Sequence, residues 1–158
     1  MANDSIHKKT IDYLSKKYSA LKPCSSEEII TIEDHFSVKL PSIYKEFLLM
    51  FGNGSSNYMV GDDYTLYWLK SMKAAANQML RDSDLPELTN DSFVFWMHQG
   101  YQFMFFYTRD GNENPSVFYF NQCYKMPVIK ISDTLSELLC DYAEVLSRID
   151  LRKYDTKC

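Results

Sequence analysis

Apolar residues recur with helical spacing through the first half of the chain and crowd into short runs in the second. Ile11, Leu14 and Tyr18 make one stripe, which predicts a first helix starting at Asp4 or Ser5 and reaching about Tyr18. Pro23-Cys24-Ser25 interrupts it. Ser25 with Glu28 has the spacing of a capping box, and Ile29, Ile32 and Phe36 give the second helix its inner face. In the third, Tyr44, Phe47, Leu48 and Phe51 fall at i, i+3, i+4 and i+7. Pro41 suits the first helical position, where its missing N–H costs nothing, and Gly52-Asn53-Gly54 tolerate positive φ and stop the helix. After a polar loop, Tyr64–Leu69 alternates and predicts a strand. Ser71 then caps a helix running to Arg81, with Met72, Ala75, Ala76, Met79 and Leu80 inward.

Beyond an acidic linker containing Pro86, the runs Phe93–Met97, Gln102–Tyr107, Val117–Phe120 and Met126–Ile131 predict strands. His98-Gln99-Gly100, Asp110-Gly111 and Asn121-Gln122 supply the turns, and such short gaps require antiparallel neighbours. Both faces of the middle strands are apolar: Phe93, Phe95 and Met97 alternate with Val94 and Trp96. Either both faces are covered, or one shows an aromatic patch to a partner; the supply of helices favours cover. Ser132 or Asp133 opens a closing helix whose buried face runs from Leu135 to Ile149. The expected fold is α+β: an antiparallel sheet of about five strands packed with four or five helices. Residues 1–24 form a peripheral helix, 25–149 the domain, and 150–158 a polar tail that frays.

The 158 residues carry a formal net charge of −4, and residues 24–70 hold seven carboxylates against three lysines. An acidic body repels nucleic acid and favours basic partners. With only 5 Gly, a glycine-rich phosphate loop is not expected. Cys24, Cys123, Cys140 and Cys158 form no Cys-x-x-Cys pair, and the first residues lack an apolar signal region. They are therefore expected to be reduced thiols in a cytoplasmic protein. No run approaches the ~18 apolar residues of a membrane span.

Catalytic chemistry finds little support. His7, His35 and His98 lie in no nucleophile or zinc motif. Asp110-Gly-Asn112-Glu-Asn114 imitates the opening of a calcium loop, but Pro115 stands where the turning Gly belongs and Asn121 where the bidentate Glu belongs. Aromatic strands could stack nucleic-acid bases, yet they carry no surrounding positive groove. The residues describe a binding module without metal or cofactor.

Ile29, Ile32 and Glu33, then Leu40-Pro41, Tyr44, Phe47-Leu48 and Asn53-Gly54, resemble the SUKH superfamily of the cell-wall-assembly-regulator type. Gly100-Tyr101, Pro115-Ser116-Val117 and the closing helix from Ser132 extend the resemblance over residues 25–148. Ser37-Val38-Lys39 departs from it, since such sequences often place Gly there. The resemblance implies a non-enzymatic immunity protein that binds and neutralises a polymorphic toxin, often a basic nuclease. The alternative it implies is a regulatory scaffold. The expected partner is a protein, with no nucleic acid and no membrane, and the chain itself a monomer or weak dimer. A partner surface is expected where the loop before Tyr64 meets the turn at His98. Asp62 and Asp63 would steer, Tyr64, Trp96 and Tyr101 would anchor, and His98 would lie among them.

Overall fold

The structure, a computed structural model, describes residues 2–158, with side chains from residue 5 onward. Helix α1 spans Ala2–Lys17. Asp4 and Ser5 therefore lie inside α1 instead of capping it. Leu14 is the buried centre of its stripe, and α1 packs on α3 (Ser42–Phe51) and α5 (Leu135–Cys140).

Helix α2, Ser26–Phe36, starts at the predicted capping box: the Glu28 N–H donates to Ser25 Oγ at 3.2 Å and the Ser25 N–H to Glu28 Oε2 at 2.8 Å. It ends at Ser37, which takes the left-handed φ of 52° without being Gly. Glu33 then ties α2 to α3. Its buried carboxylate accepts the Leu40 N–H at 2.8 Å and lies 3.4 Å from the Lys45 ammonium and 3.5 Å from that of Lys39. Burial alone would raise the Glu33 pKa; the Leu40 N–H and the two ammoniums outweigh it, so the net shift is downward.

Pro41 occupies the N-cap of α3, one residue before the helix. Tyr44, Phe47, Leu48 and Phe51 are all buried, and the Tyr44 ring packs against Phe93, Phe95 and Phe106 of the sheet. Gly52 is needed for space: a Cβ there would stand 2.8 Å from Cys24 Cβ. Gly54, with φ +107°, makes the left-handed turn.

Residues 64–69 correct the expected strand. Thr65 is the extended N-cap of α4, Leu66–Arg81, and Asp63 makes only an isolated bridge with Met97. Leu69, Met72, Ala76, Met79 and Leu80 are buried on one stripe, so the helical period reaches back through the run that alternation assigned to a strand. The sheet accordingly has four strands among the described residues: β1 Ser92–His98, β2 Gln102–Tyr107, β3 Val117–Asn121 and β4 Ile129–Ser132. They run antiparallel in sequence order. The register shifts between Val94 and Trp96. Phe93 to Met97 are buried without a break, so both faces are covered.

The closing helix is two helices. Thr134 caps α5, and Asp141, at φ −149°, separates it from α6, Tyr142–Ser147. The tail is a further correction. Cys123 and Cys158 form a disulfide with Cα atoms 4.9 Å apart, in place of two reduced thiols; Cys24 and Cys140 are free. The tail pairs with the turn after β3 instead of fraying. The Lys125 N–H donates to the Asp155 carbonyl at 2.8 Å, and Lys157 N–H to that of Cys123 at 2.6 Å. A contact spanning 35 residues leaves no local sequence signal. No described helix is long and apolar enough to cross a membrane.

Candidate functional site

The loop from Gly54 to Asp63 is irregular yet tied along its length. Its root is held by the Lys22 N–H on the Gly54 carbonyl at 2.8 Å. Its middle is held by the Ser19 N–H on Asn57 Oδ1 at 3.1 Å and by the Tyr58 hydroxyl, which donates to the Leu139 carbonyl at 2.9 Å. Met59 (φ 46°) and Gly61 (φ 85°) adopt left-handed backbone on either side of Val60, which is 73% exposed at the tip. At the far end Asp63 exchanges two backbone hydrogen bonds with Met97, both 2.9 Å.

Asp62 closes the loop onto the hairpin of β1 and β2. Its side chain is 8% exposed; Oδ2 accepts the Trp96 indole N–H at 2.9 Å, and Oδ1 lies 2.6 Å from His98 Nδ1. A carboxylate only accepts, so His98 carries its hydrogen on Nδ1. The Trp96 and His98 rings lie nearly parallel with centroids 6.0 Å apart, and Tyr101 meets His98 edge-on at 6.0 Å. Burial, reinforced by the neighbouring Asp62 charge, pushes the Asp63 carboxyl upward in pKa, and His98 works against this.

The fold thus brings Asp62, Trp96, His98 and Tyr101 into one cluster, with Asp63 beside it through Met97. Tyr64 and Trp96 are buried: Tyr64 packs on Tyr58 and Phe47 and Trp96 lies under the loop, so neither presents its ring to a partner. The exposed apolar groups here are others. Tyr67 is 81% exposed and Trp68 41%, with rings edge-to-face at 4.8 Å in the first turn of α4. Sequence reasoning passed over both because it placed them in a strand. The signal was present for Tyr67, which lies opposite the Leu69–Met72–Ala76 stripe once the helical period is extended backwards, whereas Trp68, four residues before Met72, falls on the edge of that stripe.

An Asp–His pair is how hydrolases orient a general base, but the base needs a nucleophile within hydrogen-bond reach. Among the described residues the His98 ring bonds only to Asp62. What the geometry does is fasten a loop. Both carboxylate oxygens are occupied, and the rings they hold belong to the sheet.

A family model described as SMI1-KNR4 cell-wall, SUKH_6, matches residues 26–139, from the first turn of α2 to α5. Comparison with curated proteins returns no match. The match spans the Glu33 tie, the α3 core helix, the tied loop and the whole sheet, and the chain therefore belongs to the SMI1-KNR4 family of the SUKH superfamily.

Proposed function

We propose that this chain is a non-enzymatic binding protein that neutralises a protein toxin, of the basic nuclease kind, by covering its working surface. One observation carries the reading: Asp62 joins the Gly54–Asp63 loop to the His98–Tyr101 turn, so the two segments form a single surface. A loop held before the encounter loses little conformational entropy on binding, which favours tight association. Val60 offers an apolar tip, and the net charge of −4 favours a basic partner through steering. The partner surface we assign includes Asp63, His98 and Tyr101, with Asp62, Trp96 and Tyr64 supporting it from beneath. A cytoplasmic site of action belongs to the same proposal.

The test is co-expression with the toxin domain encoded beside its gene. Protection of the cells and a co-eluting complex on sizing are expected; killing that continues, with no complex, overturns the reading. The family's description as cell-wall favours a second reading, a regulatory scaffold. Affinity capture that returns housekeeping enzymes, and leaves an added toxin domain unbound, would select it.

A further inference from the structure

The loop tip and hairpin turn are a small part of the ~800 Å² that each partner contributes to a stable protein interface. The surface continues from the loop's root. Asn53, directly before Gly54, lines a groove of about 380 Å³ between α2 and α4, together with Glu28, Thr31, Ile32, Leu66, Tyr67 and Lys70. Tyr67 stands over this groove almost fully in solvent, with Trp68 against it, and Ile30 is 54% exposed beside Thr31 on α2. A monomer gains nothing from an aromatic ring held in water, whereas Tyr and Trp are enriched at the cores of interfaces.

Two carboxylates stand in the first turn of α2, at one end of the groove. Glu27 and Glu28 are exposed on α2, and neither enters an ion pair among the described residues. Lys70 is the one cation in the lining. Glu28 uses Oε2 to cap α2, which leaves its other oxygen open. A larger groove of about 840 Å³, lined by His35, Lys39 and Lys73, contrasts with it: the Lys73 ammonium is already committed to the Thr89 and Asn90 carbonyls at 2.8 and 3.0 Å.

We propose that the groove between α2 and α4 docks a basic, apolar-tipped segment of the partner protein, with Tyr67 as the aromatic anchor and Glu27 and Glu28 as the charges that draw it in. This extends the toxin-binding reading and rests on it. The apolar tip fills the space between Ile32, Leu66 and Tyr67, and lysines or arginines flanking it meet the α2 carboxylates. The contact is continuous with the loop through Asn53.

The experiment measures affinity and association rate against the neighbouring toxin domain for wild type, Tyr67→Ala, Glu27→Lys, and the loop variant Val60→Asp. All three positions are exposed, and matching melting curves confirm the fold. Tyr67→Ala is expected to weaken binding roughly tenfold or more, the level of an interface anchor. Glu27→Lys is expected to slow association, with the difference vanishing in high salt. If both bind as wild type does while Val60→Asp loses the toxin, the groove is overturned and the neutralising function stands. If wild type itself binds no toxin, the underlying reading falls and the inference with it. A concentration-dependent dimer that Tyr67→Ala abolishes, with toxin affinity unchanged, assigns the groove to a second copy and also overturns the proposal.

Discussion

Glu33 and Asp62 are two buried carboxylates at two junctions of the same molecule, and their partners give them different work. Glu33 joins consecutive helices. It accepts the buried Leu40 N–H and faces two lysines, of which Lys39 is 85% exposed, so the ammoniums are screened and the backbone bond carries most of the effect. Asp62 joins a loop to a hairpin 34 residues away, and its donors are two ring N–H groups of the sheet. The first junction orients the helix on which the core is built. The second fixes the end of a loop whose Tyr58 and Met59 are already held in the core. A buried acid is worth what its donors are attached to.

The comparison breaks most readily at Glu33. Glu33→Ala leaves the buried Leu40 N–H without an acceptor, and a loss of about 1–3 kcal/mol in urea-unfolding stability is expected. Asp62→Ala is expected to cost less globally, about 1 kcal/mol, because the loop opens and lets water reach the Trp96 indole. Its signature is local: amide exchange quickens at Asp63, whose N–H bonds the Met97 carbonyl, while α3 stays protected. Equal global losses, or exchange that quickens throughout α3, would erase the distinction between the junctions.

Tyr44 sharpens the comparison from the opposite limit. Its hydroxyl is buried among rings with no partner among the described residues, and burial drives its pKa far upward. Tyr44→Phe should therefore leave thermal stability unchanged or raise it, by up to about 1 kcal/mol. A clear loss would mean that the hydroxyl has a bonded partner after all.

The smallest effect is in pH, and Glu33 and Asp63 have opposite signs. Glu33 titrates below its unfolded value. Its stabilisation is complete above the unfolded value near ~4.3 and is lost as pH falls through the lower folded value. Asp63 titrates above its unfolded value of ~3.9, so its ionisation costs stability as pH rises through the raised folded value. The stability deficit of Glu33→Gln should shrink in acid, and any gain from Asp63→Asn should appear at neutral pH and vanish in acid. Chemical denaturation of both variants from pH 3 to 7 reads these slopes; parallel slopes would refute the opposed shifts.

Much of the helical half was legible because its signals are local. The Ser25–Glu28 capping box, the Tyr44–Phe51 face and the stop at Gly52-Asn53-Gly54 each lie within one or two turns of chain, and each appears where residue spacing places it. The apolar alternation of β1 and β2 likewise foretold a sheet covered on both faces. Residues 64–69 misled because a short apolar run has neither the length nor the flanks to separate period 2 from period 3.6. The candidate site was legible only as an acidic, aromatic loop near a turn. That Asp62 would spend both oxygens on Trp96 and His98, and that the Trp96 ring would be buried, depends on distances between segments more than thirty residues apart. The Cys123–Cys158 bond has the same character.

The chain by itself determined its class, its core helix and the sign of its charge, because hydrophobic period, capping and composition act over a few residues. The tertiary structure decided which carboxylates are occupied, which aromatics are exposed and where the tail is fastened. Those outcomes depend on which donors and apolar surfaces the folded chain brings within a few ångströms, and local pattern does not encode that.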